Sequence, residues 1–201
     1  MLAIVCALRC EAECLIEHFK LKSLPQKSLF PIYGDGELFL TISGLGKLQA
    51  AAAVSYLYAM AGERSFAGWI NVGIGGHPSH EIGQGFLAHQ VIDQGSLRAF
   101  YPTFTWQLKG KTETIYTVDT VEKNFTQSGI YDMEASGFCS SAFGLASAEC
   151  IHCYKVISDN LETPPAKDPL FVKELILSNI ARIEELIHNL KETVSDVNVY
   201  S

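Results

Sequence analysis

Apolar residues fall into two kinds of run along this chain. Leu2 to Ala7, Gly68 to Asn71 and Ile151 to Ile157 are continuous, the pattern of strands buried on both faces. Leu29 to Tyr33 and Leu38 to Ile42 are two more β runs, and the Gly34-Asp35-Gly36 between them is a strong hairpin signal. Gly83 to Asp93 and Thr114 to Val118 also read as strands. Elsewhere the spacing is helical. Leu15, Ile16 and Phe19 share a face, and Leu48 to Met60 is an alanine-rich helix. Ala135, Phe138, Ala142 and Leu145 mark a run from Ala135 to Ala146. The apolar positions from Val172 to Leu190 continue at helical spacing as one long C-terminal helix, with Asp168 as N-cap and Pro169 at its first position. Thr193 to Ser201 reads as a frayed tail.

The predicted order is β-α-β-β-α-β-β-β-α-β-α. No linker rich in Pro, Gly or Ser divides it, and no internal repeat is visible. The expected fold is therefore a single α/β domain over residues 1–201, a three-layer arrangement with a mixed β-sheet flanked by helices on both faces.

Composition narrows the class. With 48% hydrophobic residues, the 201-residue chain can fill a sizeable core. Only 18% are charged, which leans towards a surface partly covered in a homo-oligomer. A net charge of −7 argues against nucleic acid or an anionic membrane as partner. No apolar run approaches the roughly 18 residues of a membrane span, and Met1 to Leu8 is too short for a signal peptide. The six cysteines sit in apolar-patterned segments and read as reduced thiols of a cytoplasmic protein.

Chemistry concentrates where strands end. Glu134 opens a helix after Tyr131-Asp132-Met133, and Asp159 stands at the tip of the strand from Ile151. Ligands of open α/β sheets collect outside the carboxyl ends of strands, so two acids there suggest a reaction centre. Glu11 lies at the handover from the first strand to the first helix, either as a third site acid or as a first-turn acid favouring the helix dipole. Ser43-Gly44-Leu45-Gly46-Lys47 can bring backbone N–H groups to an anion or a sugar, or simply allow close helix–strand packing. It is not a Walker A loop, because Leu48 stands where Ser or Thr binds the metal. Val72 to His77 reads as another glycine loop at a strand end. His77, His80 and His89 fit no compact zinc spacing, and Cys150-Ile151-His152-Cys153 lacks a second pair, so no metal site is expected. The aromatic segment Phe100, Tyr101, Phe104 and Trp106 can wall a pocket or an oligomer contact.

These motifs together resemble the purine and uridine phosphorylases, and most closely the 5'-methylthioadenosine/S-adenosylhomocysteine nucleosidases. Ala7-Leu8-Arg9-Cys10-Glu11-Ala12 resembles their first strand-to-helix turn, which carries the glutamate that orients the attacking water. Ser43 to Lys47 resembles S-G-[IM]-G-K, and Asn71 to Gly76 resembles N-[TV]-G-[ST]-A-G-G. Asp132-Met133-Glu134-Ala135 resembles E-M-E-A, whose second glutamate binds the ribose hydroxyls, and Ile157-Ser158-Asp159 resembles the I-S-D that supplies an acid to the purine. The resemblance implies a nucleoside phosphorylase-like fold and cleavage of an N-glycosidic bond. Asp159 and Glu11 would be catalytic, with Glu134, Met133, Asp132, Ile74, Gly75 and Ser158 at the substrate. It implies no cofactor (phosphate being the co-substrate if the protein is a phosphorylase) and most often a dimer.

The chain also departs from the family. Ile74 replaces a Ser or Thr, Asp132 shortens the first acid, and the base-binding segment between Val118 and Asp132 is shorter. Phe171 and the aromatics from Phe100 to Trp106 are candidate replacements at the base. No arginine lies on either glycine loop, which favours hydrolysis, while Arg9 keeps phosphorolysis open. A non-catalytic nucleoside-binding protein is the second reading.

Overall fold

A computed structural model describes residues 1–24, 28–62 and 66–199. The strands follow the apolar runs. β1 (Leu2–Cys6), β4 (Leu38–Ile42), β5 (Gly68–Gly76) and β10 (Ile151–Asp159) lie parallel, so their carboxyl ends share one edge. β2 (Lys22–Ser23) and β3 (Ile32–Gly34) extend this wing antiparallel, with the Asp35-Gly36 turn joining β3 to β4. Beyond β5 the sheet closes on itself. β5 pairs β10, β10 pairs β6 (Gly85–Asp93), β6 pairs β8 (Lys111–Thr117), β8 pairs β9 (Ile130–Asp132), and β9 returns to β5 through Gly76 and Tyr131. β7 (Ala99–Phe100) adds to β6.

Helices cover both faces, and the two-residue period of a strand divides the core between them. From β1, Ala3 and Val5 face α2 (Lys47–Ala61) and α3 (Ala135–Ala142), whereas Leu2, Ile4 and Cys6 face the layer of α1 (Arg9–His18), α4 (Pro169–Ser178) and α5 (Ile180–Val199). Both faces being covered is why β1 has no polar residue. Helix α2 meets α3 so closely that a Cβ on Gly137 would collide with the Lys47 carbonyl. This is the expected three-layer α/β fold with a mixed sheet.

Four local readings need correction. Val72–Gly76 is not a loop: β5 runs through it, because its glycines pair with β10. β9 precedes α3 as a separate strand, too short to show a period. The α3 helix stops at Ala142 rather than Ala146. The C-terminal helix is two helices, α4 and α5, broken at Asn179, whose side chain donates to the Gly83 and Leu175 carbonyls. Thr193 and the residues to Val199 continue α5 and are not frayed; residues 200 and 201 lie outside the described residues. Asp168 caps α4 as expected, accepting from the Leu170 N–H. All six cysteines are free; Cys150 and Cys153 belong to opposite core layers, as a strand requires.

Candidate active site

At the shared strand edge lies a cavity of about 230 Å³, and Glu11, Glu134 and Asp159 all line it. Each comes from a different element. Glu11 sits in the first turn of α1, after β1; Glu134 caps α3, after β9; Asp159 ends β10. Asp132, Met133, Ile74, Gly75 and Ser158 line the same space. Phe171 does not. It lies in the first turn of α4 and packs against the outer core layer, so it is unavailable to a ligand in this cavity. Phe104 and Trp106 also pack on that layer, and Phe100 on the α2–α3 layer.

Glu11 is fixed by backbone. Its Oε2 accepts from the N–H of Ala7 (3.0 Å) and Leu8 (2.8 Å), and its Oε1 from the N–H of Ile74 (3.0 Å). A carboxylate has about four acceptor positions. Three are filled, leaving one on Oε1. Burial pushes the Glu11 carboxyl up, while Lys155 and the three N–H groups pull the other way.

Lys155 went unnoticed in the sequence, and the carboxylates are arranged around it. It stands in mid-β10, 1% exposed, with Nζ 2.9 Å from Asp132 Oδ2. Burial opposes its charge, but Asp132, Glu134 and Glu11 more than offset that and hold the ammonium well above the usual lysine range. A Cβ on Gly73 would come within 2.9 Å of Glu11 Oε1 and 3.2 Å of Lys155 Nζ. Only glycine leaves room there for base and cation to approach. The sequence signal was a charge inside a nine-residue apolar strand, since lysine is almost never fully buried unless paired.

Asp132 is occupied internally. It accepts from the Thr117 hydroxyl (2.7 Å) and the Glu134 and Ala135 N–H groups, besides pairing with Lys155. Its place is to tie α3 to β10. Glu134 is more available. Its Oε1 accepts from Gly46 N–H at 2.8 Å, so the glycine turn holds an internal carboxylate. Gly46 has φ 98°, a backbone state that favours glycine. Burial first, against the pull of Lys155 and with help from Asp132, raises the Glu134 carboxyl to about 7. Asp159 is also raised by burial, partly countered by the Ser158 hydroxyl at 2.6 Å from Oδ1.

The rest of the lining was not anticipated: Leu45, Val118, Val121, Glu122, Tyr131, Pro165 and Ala166. Loop 118–129 reaches the acid through Phe125, whose ring and Asp159 Oδ2 both crowd the missing side chain of Gly76. No lysine or arginine lines the cavity. Arg9 points away, its side chain 74% exposed and bonded to Glu13.

His77 and His80 do meet Glu113, with imidazole centroids 3.7 Å apart, whereas His89 bonds Thr114 elsewhere. The cluster is poorly suited to a metal. His77 Nδ1 accepts from the Ser79 and His80 N–H groups, so in the neutral ring the proton is on Nε2, the nitrogen facing Glu113.

The sheet and the carboxylate cavity at its parallel strand ends define an α/β protein with the nucleoside phosphorylase and nucleosidase fold. Among solved structures the chain is similar to 5'-methylthioadenosine nucleosidase of Arabidopsis thaliana, with TM-score 0.77 and 16% identity over 94% of this chain and 95% of that one. It is similar also to the 5'-methylthioadenosine/S-adenosylhomocysteine nucleosidases of Colwellia psychrerythraea, in complex with adenine (TM-score 0.68, 18% identity, 94% and 93% covered), and of Neisseria meningitidis, in complex with methylthio-immucillin-A (0.68, 16%, 96% and 98%). No family model and no curated protein sequence matches the chain.

Proposed function

We propose that the protein hydrolyses the N-glycosidic bond of a purine-type nucleoside, releasing free base and pentose. The observation that carries this reading is the convergence of Glu11, Glu134 and Asp159 on one cavity in a fold shared with nucleosidases. Glycosidic cleavage passes through an oxocarbenium-like state and calls for an acid at the leaving group and a base at the water. Asp159, whose burial favours its protonated form, gives a proton to the departing base. Glu11 has one free acceptor position, on Oε1, and takes the proton of the attacking water there. Glu134, as carboxylate, accepts from the ribose hydroxyls and favours the positive charge developing on the sugar. Met133, half-buried, packs on the ribose face. Lys155 is a positioning residue that keeps the acids assembled.

Water is favoured over phosphate as nucleophile. The lining carries Glu11, Glu122, Asp132, Glu134 and Asp159 and no cation, which disfavours a phosphate dianion. No cofactor is needed for these steps. Leu48, 81% exposed at the start of α2, and Leu97, 79% exposed beside Arg98, support a homodimer. Six free cysteines fit a cytoplasmic setting, and no helix among the described residues is long and apolar enough to cross a membrane.

The test is base release from methylthioadenosine, adenosylhomocysteine, adenosine and inosine, with and without phosphate, followed by chromatography. Release without phosphate is expected, with Asp159→Asn slower by about 10²–10⁴-fold. Release only with phosphate would move the reading to phosphorolysis. No release, with nucleosides still raising the melting temperature, would leave the non-catalytic binding reading.

A further inference from the structure

A larger cavity of about 420 Å³ lies apart from the carboxylate site, between β6, β10, the segment before β8 and the start of α5; the two share no residue. Its volume is in the range of small-molecule sites, about 300–1,000 Å³. Its chemistry is the reverse of the first. Lys109, Lys111 and Arg182 line it against a single acid, Glu185, in a protein of net charge −7. Glu185 serves two of these cations at once, Arg182 at 3.1 Å and Lys109 at 3.6 Å. Lys111 has no ion pair among the described residues; its ammonium lies 5.9 Å above the Phe86 ring. Two positive charges are thus in excess.

The wall opposite is aromatic and held in place. Trp106 lines the cavity and packs edge-on against His152 at 4.9 Å and Phe104 at 5.7 Å. Beneath lies a polar floor, where the buried Tyr154 hydroxyl donates to Asn179 Oδ1 at 2.8 Å. A fixed ring face beside a two-charge surplus suits a planar group joined to a dianion. We infer that this cavity is a second binding site, for a small phosphate monoester carrying a planar ring. The site stands independently of the reaction proposed above.

The probe is adenosine 5'-monophosphate, followed by tryptophan emission. Trp69 is fully buried, so a change on titration reports Trp106, the other tryptophan. Saturable binding is expected, with adenosine and inorganic phosphate each at least about tenfold weaker, and weakening as salt rises. Lys111→Ala with Arg182→Ala should raise Kd about tenfold or more, as loss of charge-assisted bonds predicts. Both side chains are exposed and outside the carboxylate site, so melting temperature and nucleoside turnover should not change. Trp106→Phe should remove the signal while calorimetry still detects binding. No saturable binding at millimolar monophosphate, equal affinity for adenosine, or an unchanged Kd in the double variant would each overturn the assignment.

Discussion

At the residue scale the site is one ammonium shared among three acids. Asp132, Glu134 and Glu11 all lean on Lys155, so one cation cannot balance every carboxylate, and Glu134 keeps a proton up to about pH 7. This sets a sign for stability. Below pH 4.5, the ordinary value for glutamate, Glu134 is protonated folded or unfolded. Between there and about 7 the unfolded chain loses that proton and the native protein keeps it. The contribution is therefore full at low pH and is lost as pH rises through the folded value. Urea midpoints of the native protein and Glu134→Gln, compared at about pH 5 and about pH 8, should show the variant gaining relative stability at the higher pH. Lys155→Met should do the opposite of a harmless apolar replacement. It leaves Asp132 buried without its counter-ion, a loss of about 3–5 kcal/mol, visible in the same midpoints. The three carboxylates could be found from sequence because each closes or opens an element. Lys155 could not be placed the same way: its partners lie on β9, α3 and α1, and only the fold brings them to β10.

At the element scale, helix α3 is the positioning device. Asp132 fastens its start to β10 and Thr117, Glu134 caps it, and Gly137 lets it lie against α2. Gly137→Ala should therefore force α3 off the Lys47 backbone. Overpacking of this kind costs about 1–3 kcal/mol, and because Glu134 opens the same helix, nucleoside affinity should fall along with melting temperature. Buried strands, the Asp35-Gly36 hairpin and the Asp168-Pro169 helix start were legible because each rests on neighbouring residues. The α4–α5 break was not. Asn179 interrupts a continuous apolar stripe through contacts with Gly83 and Leu175, and local spacing carries no trace of the first. β9 was invisible for a similar reason: three residues hold a strand only because β8 and β5 flank it.

At the scale of the molecule, two cavities of opposite charge occupy one acidic protein. Phosphate should leave base release unchanged or slow it, and sedimentation should show a dimer that Leu48→Glu shifts towards monomer, since burying an unpaired carboxylate is costly. The closed ring of strands has a further consequence, for the time course of folding. β5 and β10 are distant in sequence, yet their pairing closes the ring and sets Asp159 beside Gly76. Contacts of such long sequence separation form slowly, because loop-closure entropy is met before they are made. Early refolding species should therefore hold helix and hairpin signal without a working cavity. Nucleoside binding should return only in the last kinetic phase, together with fixed near-ultraviolet dichroism.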